Sequence, residues 1–334
     1  MTALIMGQKK CKKSVDKMID LINECTGAKK IGISGHVRPD GDCIGSCLGL
    51  RRYLMINIPG AEVKVNLEYP PSIFSEIVGY DTIDTTFPDD EQYDVYFALD
   101  CNFERLGPAQ KYFSAAVKKI NIDHHVSNIE GCGDVNVVEP EISSTAELLC
   151  KIMDKDKLDK ETAMALYVGM VTDTGVFQYS CTSPDTMRRA ADLMEYGFEF
   201  PRIIKKVFFE KTYLQSQIMG RCMMESVRFM DERCIVGVVD LKVSEFYGCK
   251  PKDYEGIVNQ LVNIRGIDVA IFMYQTAPME YKVSMRSSEA VDVAAIAQEF
   301  GGGGHVRAAG LTMKGTFHDC VNNLSAKIAE QLGM

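Results

Sequence analysis

The chain has 334 residues, of which 46% are hydrophobic and 25% charged, and a formal net charge of −9. This length allows two domains with separate cores, and no apolar run reaches the roughly 18–20 residues that span a bilayer. The acidic balance argues against a protein that grips a long nucleic acid, because such binding needs a broad basic surface to neutralise phosphates. Any nucleic-acid ligand is therefore expected to be short.

The beginning of the chain and its cysteines indicate a reduced, non-membrane environment. The opening MTALIMGQKKCKK lacks the apolar core and the cleavage site of a signal peptide. A cytoplasmic location with no membrane partner is therefore expected. The 12 cysteines form no CxxC pair, which favours reduced, mostly buried thiols. Cys43 and Cys47 lie one helical turn apart and could be read as ligands, but small packing residues are the favoured interpretation.

Residues 1–200 predict alternating strands and helices. The apolar runs typical of buried strands are KKIGISG, YDVYFALD, VKKINID and DVNVVE. The predicted helices are CIGSCLGLRRYLM, SSTAELLCKIM and ETAMALYVGMVTDTG. Ser144 and Glu147 have the three-residue offset of a capping box at the start of the second of these helices. The pattern predicts an α/β domain with a mainly parallel sheet, whose ligands gather at the carboxyl ends of the strands.

The character of the sequence changes after residue 200. Residues 201–230 carry six Lys or Arg against two Glu and are predicted to be a helical connector. A solvated helix face is the simpler explanation of these charges, and a basic face toward an anionic ligand is the alternative. Residues 231–334 predict a smaller α/β domain with a mixed sheet, which includes a hairpin formed by DVAIFMYQTAP and MEYKVSMRS.

Four segments place acids or imidazoles directly after apolar elements. The first is GHVRPDGDCIGS at 35–46, and the others are the end of YFALD, the triplet DHH, and TDTG. The side chains concerned are His36, Asp40, Asp42, Asp100, Asp123, His124, His125 and Asp173. Each alone has an ordinary explanation as a turn or a helix cap. In a parallel sheet, however, the strand-end segments are expected to meet at one edge.

So many carboxylates need a positive charge if they share one site. A divalent metal ion meets this need with the fewest assumptions. Imidazole and carboxylate ligands without cysteine favour an ion such as manganese over a structural zinc. Of the remaining histidines, His305 follows a run of glycines, and His318 is expected at the surface.

These segments resemble the DHH phosphoesterases. The HxxxDxD loop, the isolated strand-end Asp, the DHH triplet and the later Asp follow that family's order, and RSSEAVDVAAIAQEFGGGGHVRAAG resembles its DHHA1 domain. The likeness runs from about Lys29 to Gly333. Within the family, the chain is similar to bacterial nanoRNase and pAp phosphatase enzymes and to stand-alone cyclic-di-AMP and pApA phosphodiesterases.

The resemblance implies two metal ions and a role for each side chain. It assigns His36 and Asp40 to one ion. It assigns Asp42, His124 and Asp173 to the other, with Asp100 as a bridge. Asp123 would orient a metal-bound imidazole, and His125 would contact the phosphate or donate a proton to the leaving oxygen. Gly45 and Ser46 would let the helix N-terminus approach the phosphate.

In the second domain, the resemblance implies a phosphate site formed by Arg286, Gly302, Gly303, Gly304 and His305. The glycines are expected to form a flexible loop whose N–H groups surround a phosphate. A plain hairpin or helix-end turn is the alternative for the glycines, and an ordinary sheet-edge Arg is the alternative for Arg286. A cleft between a catalytic and a capturing domain would select substrates of two to a few nucleotides.

The expected activity is hydrolysis of short linear oligoribonucleotides or dinucleotides such as pApA to mononucleotides. Dephosphorylation of pAp is a second expected activity, and two metal ions would activate a bridging water. The alternatives are a cyclic-di-AMP phosphodiesterase and a nucleotide-binding sensor without catalysis. A homodimer is a hypothesis that no motif addresses.

Overall fold

The computed structural model describes residues 19–334, so the leader prediction for the first residues lies outside the described part of the chain. The chain divides into two units, one ending at Glu210 and the other spanning Lys211–Met334. The segment 201–230, expected to connect two domains, contributes its first ten residues to the first unit and the rest to the second. Within residues 19–334, no helix combines the length and hydropathy that crossing a membrane would require.

In the described part of the first unit, five parallel strands form one sheet. The strands are β1 (Lys30–Ser34), β2 (Glu62–Val65), β3 (Val95–Leu99), β4 (Lys118–Asp123) and β5 (Val135–Val138). Their order across the sheet is β2-β1-β3-β4-β5. The direction of winding therefore reverses between β1 and β3, where ligands bind in open α/β sheets. The predicted parallel sheet is confirmed.

The helices of the first unit include the three that the sequence predicts for residues 1–200. They are α1 (Leu21–Glu24), α2 (Gly41–Asn57), α3 (Gln110–Ala115), α4 (Thr145–Ile152), α5 (Lys160–Asp173), α6 (Pro184–Met194) and α7 (Phe200–Ile204), with a π-helical turn at Lys205–Phe209. At the start of α4, the Ser144 hydroxyl accepts the Glu147 N–H at 3.0 Å. The Glu147 carboxylate turns away from a reciprocal bond and pairs with Arg189 at 2.7 Å. Only half of the predicted capping box is formed.

Part of the basic character of the segment 201–230 is explained within the first unit. Arg202 and Lys206 both contact the Glu76 carboxylate, at 2.7 and 2.9 Å. These two ion pairs connect the end of the first unit to the loop after β2.

The second unit has a mixed sheet of six strands within Lys211–Met334, as predicted. The strands are β6 (Val227–Phe229), β7 (Cys234–Val239), β8 (Val269–Ala277), β9 (Glu280–Ser287), β10 (Gly303–His305) and β11 (Ala308–Lys314), in the order β10-β11-β9-β8-β7-β6. Only the β7–β8 pair is parallel. The helices are α8 (Tyr213–Glu225), α9 (Leu241–Tyr247), α10 (Ile257–Val262), α11 (Val293–Glu299) and α12 (Phe317–Leu332). His318 is exposed on α12, as expected.

Candidate active site and metal centre

The acidic and imidazole side chains meet at the carboxyl edge of the first sheet, around the β1/β3 switch point. Each reaches this edge from the end of a secondary-structure element. His36 follows β1, Asp100 follows β3, His124 follows β4, and Asp173 ends α5. The sequence predicted that these segments meet at one edge of the sheet, and the structure brings their side chains into contact.

Asp100 lies at the centre of this cluster. Asp100 is 2% exposed, and its two oxygens lie near different imidazoles. Oδ2 lies 3.4 Å from Nε2 of His36, while Oδ1 lies 3.4 Å from Nε2 of His124. The Thr145 hydroxyl donates to Oδ1 at 3.0 Å. The residue has a left-handed φ of 61°, a conformation that costs free energy and persists where the surroundings hold it.

A first group of ligand atoms surrounds the His36 side of Asp100. Nε2 of His36 lies 3.6 Å from Oδ2 of Asp40. Asp40 caps α2 through Oδ1, which accepts the Cys43 N–H at 3.1 Å. The Nδ1 atom of His36 lies 2.9 Å from the Val37 carbonyl oxygen, so that contact favours a proton on Nδ1 and leaves Nε2 directed at the acids. The Sγ atom of Cys43 also lies in this group.

A second group surrounds His124. Its Nε2 atom lies 3.4 Å from Oδ2 of Asp173 and 4.0 Å from Oδ2 of Asp42. Asp42 is fully buried, and its two oxygens accept the backbone N–H groups of Thr145 and Ala146 at 2.7 and 2.9 Å. These are orphan donors in the first turn of α4, where a carboxylate is also favoured by the helix dipole. The carboxylate of Asp42 is therefore fixed in one orientation.

The protonation of the cluster reveals excess negative charge. Burial lowers the pKa of both imidazoles, but hydrogen bonding to Asp100 and the nearby acids outweighs it. The net effect raises the pKa of His36 to about 11 and that of His124 to about 10. Burial and neighbouring acids raise the pKa of Asp173 to about 7 and that of Asp42 well above its usual range. The side chains thus retain protons that a cation would displace.

Asp123 contacts a different imidazole from the one expected. Its buried Oδ1 atom lies 2.8 Å from Nδ1 of His125, and it accepts the backbone N–H groups of His124 and His125 at 2.8 and 3.1 Å. Oδ2 accepts the Asn128 amide at 2.7 Å. The imidazole that Asp123 contacts is that of His125, whereas the ring of the proposed ligand His124 points to Asp100. Asp123 orients His125.

The small residues of α2 also have another role than the one expected. A Cβ atom at Gly45 would lie 2.5 Å from the Ala165 carbonyl oxygen and 2.9 Å from the Gly169 nitrogen. Gly45 therefore allows α2 and α5 to pack closely. The Ser46 hydroxyl is buried and donates to Asp42 at 3.3 Å. These residues were expected to let the helix N-terminus approach a phosphate, and the contacts that the structure gives them are with the protein interior.

In the second unit, Arg286 and His305 lie on one face of the mixed sheet. Ala308 on β11 is directly opposite Arg286 on β9 and His305 on β10. Directly paired residues in antiparallel strands point to the same side. The small side chain of Ala308 therefore lies between a guanidinium and an imidazole, in a row across three strands. Arg286 is half-buried and donates to the Met285 carbonyl oxygen at 3.0 Å, while His305 is exposed.

The glycine run is more ordered than expected. Gly303 and Gly304 belong to β10 rather than to a loop. A Cβ atom at Gly302 would lie 2.4 Å from the Gly310 carbonyl oxygen, and one at Gly304 would lie 2.3 Å from that of Ala308. These two glycines let the edge strand approach β11. The expectation of a flexible glycine loop is wrong, because Gly303 and Gly304 pair with β11.

Comparisons with known proteins agree with this architecture. The model of the DHH family, N-terminal domain, matches residues 30–170, and that of the DHHA1 domain matches residues 234–334. The bifunctional oligoribonuclease and PAP phosphatase NrnA of Thermus thermophilus is 30% identical over 301 residues, which cover 85% of this chain and 84% of that protein. The chain belongs to the DHH family.

Two further relatives show how much of this DHH protein is shared. The bifunctional oligoribonuclease and PAP phosphatase NrnA of Bacillus subtilis is 27% identical over 286 residues, covering 83% of this chain and 87% of that protein. The crystal structure of an exopolyphosphatase-related protein from Bacteroides fragilis is 27% identical and has a TM-score of 0.82, covering 92% and 94% of the two chains. The similarity therefore extends over both domains.

The residues of this DHH domain fit divalent metal ions. Among residues 19–334, three groups of side chains bring one ligand atom each to within 4.8 Å of one another. The groups are His36, Cys43 and Asp100; Asp100, His124 and His125; and Asp42, His124 and Asp173. Asp100 belongs to two of these groups, as expected of a carboxylate shared by two ions. The donors are mainly imidazole and carboxylate, which suits borderline and hard divalent cations.

Sequence reasoning missed several contributors to the site. The N–H groups that hold Asp42 and the hydroxyl that contacts Asp100 come from the start of α4, and Asn128 supports Asp123. The Ser-Ser-Thr preceding an apolar helix was a signal for free N–H donors. Cys43, interpreted as a packing residue, is indeed buried, yet its sulfur also adjoins His36 and Asp100.

Proposed function

We propose that this chain is a metal-dependent phosphoesterase that hydrolyses short linear oligoribonucleotides and dinucleotides to mononucleotides, with pAp dephosphorylation as a second activity. The observation that carries the proposal is Asp100, whose two oxygens face imidazoles on opposite sides within a buried acidic cluster. The NrnA relatives, named as oligoribonucleases and PAP phosphatases, support this substrate class.

The residues proposed to hold metal lie on the His36 side and on the His124 side of Asp100. His36 and Asp40 would hold one ion. Asp42, His124 and Asp173 would hold the other, and Asp100 would contact both. Manganese is the ion we favour for these ligands. When bound, such ions would lower the pKa of a water molecule to supply hydroxide and would stabilise negative charge on the phosphate oxygens.

The protein fixes the ligands before substrate arrives. Two backbone N–H groups and the Ser46 hydroxyl fix the Asp42 carboxylate, and the Thr145 hydroxyl holds one oxygen of Asp100. Such support limits the reorganisation that accompanies the reaction, which is the basis of electrostatic catalysis.

His125 is proposed to act on the leaving group. Its Nδ1 atom is held by the buried carboxylate of Asp123, so Nε2 is left to contact the substrate. An imidazole oriented in this way can contact a substrate phosphate and, when protonated, can donate its proton to the departing 3′ oxygen. Asp123 acts through His125 and is a positioning residue.

The second unit is proposed to bind another phosphate of the substrate. Arg286 and His305 are two strand spacings apart, or roughly 10 Å, on either side of Ala308. A guanidinium can bind phosphate oxygens through two parallel hydrogen bonds. The N–H groups of Gly303 and Gly304 are proposed to add to this phosphate site, whereas the Gly302 N–H donates to the Ala297 carbonyl oxygen at 2.8 Å.

The other candidates have weaker support. The names of the NrnA relatives do not favour the cyclic-di-AMP phosphodiesterase. A sensor without catalysis would not require the three carboxylates and three imidazoles that lie within ligand distance of one another in these groups.

A substrate-length series in manganese tests the proposal. The purified protein should release mononucleotides from pApA rapidly and degrade a long RNA strand far more slowly. Asp100→Ala should abolish turnover, whereas Asp90→Ala, which changes an exposed carboxylate before β3, should not affect it. Full turnover by Asp100→Ala, or equal rates on long and short RNA, would contradict the proposal.

A further inference from the structure

The segment after Asp173 has a strained backbone. Three consecutive residues adopt left-handed conformations, with φ of 56° at Gly175, 59° at Val176 and 62° at Phe177. For a β-branched residue such as Val176, this conformation is a genuine outlier. Strain of this kind persists only where the surrounding structure enforces it, and it is concentrated at functional sites.

Thr174 enforces the conformation. Its carbonyl oxygen accepts the N–H groups of Gln178 and Tyr179, each at 3.0 Å, and its buried hydroxyl accepts the Phe177 N–H at 3.0 Å. The Phe177 ring lies 6.2 Å from that of Tyr167, within the apolar core. One buried threonine and one core aromatic residue therefore determine the path of this segment.

The result is an aromatic ring held over Gly175. A Cβ atom at Gly175 would lie 2.4 Å from the Tyr179 ring, so only glycine allows the ring to lie there. The ring is 51% exposed. Gly175 is two residues beyond Asp173, whose carboxylate lies 3.4 Å from the His124 imidazole. An accessible aromatic surface thus lies against a backbone position two residues from an acid of the cluster.

We propose that the Tyr179 ring stacks on the nucleobase next to the phosphate that is hydrolysed. This inference rests on the proposed function, since it assumes a nucleotide substrate. Aromatic rings stack on every base, which suits an enzyme for short oligonucleotides of varied sequence, and larger purines should gain more than pyrimidines. The hydrogen bond from the Tyr179 N–H to the Thr174 carbonyl oxygen fixes the backbone from which the ring extends, so less backbone freedom is lost when the substrate arrives.

Substitutions at Tyr179 test the role through KM. Tyr179→Ala should raise KM for pApA by roughly 5- to 150-fold, the effect expected for loss of one stacking contact. Tyr179→Phe should retain the wild-type KM. Gly175→Ala, which displaces the ring, should resemble Tyr179→Ala. A dinucleotide analogue that lacks the bases should be hydrolysed equally by wild type, Tyr179→Ala and Tyr179→Phe, and a slower rate for Tyr179→Ala would contradict the stacking role.

Fluorescence provides a test that does not need turnover. The chain contains no tryptophan, so Tyr179→Trp introduces a single reporter. AMP added in the presence of a chelator should quench its emission at saturating concentration. Val117→Trp is the matched control, because Val117 is 82% exposed and precedes β4 at the opposite end of the strand. Its emission should not change.

The outcomes separate the two proposals. If wild-type protein hydrolyses pApA but Tyr179→Ala has an unchanged KM, the stacking role is wrong and the phosphoesterase proposal stands. If wild-type protein hydrolyses no phosphoester, the proposed function fails, and the fluorescence titration alone decides whether Tyr179 binds a base. Equal quenching at positions 179 and 117, or none at either, would overturn the stacking role.

Discussion

Replacing Asp123 by Asn tests the part of the site that differs most from expectation. Asp123 holds His125 through a 2.8 Å contact between a buried carboxylate and Nδ1. A hydrogen bond to a charged group contributes about 1.5–3 kcal/mol. If this bond orients the imidazole that acts on the leaving group, its loss should lower kcat by about 10- to 150-fold, since 1.36 kcal/mol corresponds to a factor of ten.

The same substitution should leave metal binding intact. The ring of His124 faces Asp100 and Asp173, and Asp123 reaches only its backbone N–H. Manganese affinity of Asp123→Asn, measured by calorimetry, should therefore match wild type, whereas His124→Ala should lose affinity. Circular dichroism would verify folding, because the Asn128 amide loses its charged acceptor at a cost of about 1–3 kcal/mol.

A double-mutant cycle decides whether Asp123 acts through His125. In a His125→Ala background, Asp123→Asn should have little further effect on kcat, because the imidazole it supports is gone. Additive losses would refute the reasoning. A loss of manganese affinity comparable to that of His124→Ala would also refute it, and it would restore the expectation that Asp123 serves a metal ligand.

Three further predictions concern protonation, packing and the thiol beside the cluster. The raised pKa values of His36 and His124 stabilise the metal-free fold fully below pH 6.5, and this stabilisation is lost as pH rises through about 10. The melting temperature in chelator should therefore fall over that range, and manganese should raise the melting temperature more at high pH than at low pH. A manganese effect on the melting temperature that does not depend on pH would contradict this. Gly304→Ala should cost about 1–3 kcal/mol of stability and lower the melting temperature, because a Cβ atom there would meet the backbone of β11. Gly303→Ala is the control and should not change the melting temperature, since a Cβ atom at Gly303 meets open space. Equal effects of the two substitutions would contradict the described pairing of β10 with β11. Burial raises the pKa of the Cys43 thiol well above its ordinary value, and a protonated thiol is a poor metal ligand. Cys43→Ala should therefore leave manganese affinity unchanged. A loss of affinity measured by calorimetry would identify Cys43 as a thiolate ligand.

The strand-end acids could be predicted because topology alone brings them together. Apolar runs that alternate with helices imply a parallel sheet, and in such a sheet the residues after β1, β3 and β4 must share one edge. The common position of His36, Asp100 and the DHH triplet could therefore be predicted without knowledge of side-chain packing. The predicted helix ending at Asp173 reached the same edge because α5 packs against α2.

The details that sequence reasoning missed depend on side-chain direction and on contacts between distant segments. Whether Asp123 supports the first or the second histidine of the triplet is decided by the turn after β4. The role of Gly45 depends on the approach of α2 to α5, 120 residues later at Ala165. The left-handed run before Tyr179 has no motif of its own, since Val and Phe ordinarily avoid that conformation.

The most direct test of the central claim is one time course with manganese. Equal concentrations of linear pApA and cyclic di-AMP would be incubated with the purified protein, and the products would be separated chromatographically. The proposed function predicts rapid release of AMP from pApA and little consumption of the cyclic compound. It also predicts that a chelator abolishes the release of AMP. Comparable or faster consumption of cyclic di-AMP would contradict the proposed substrate class.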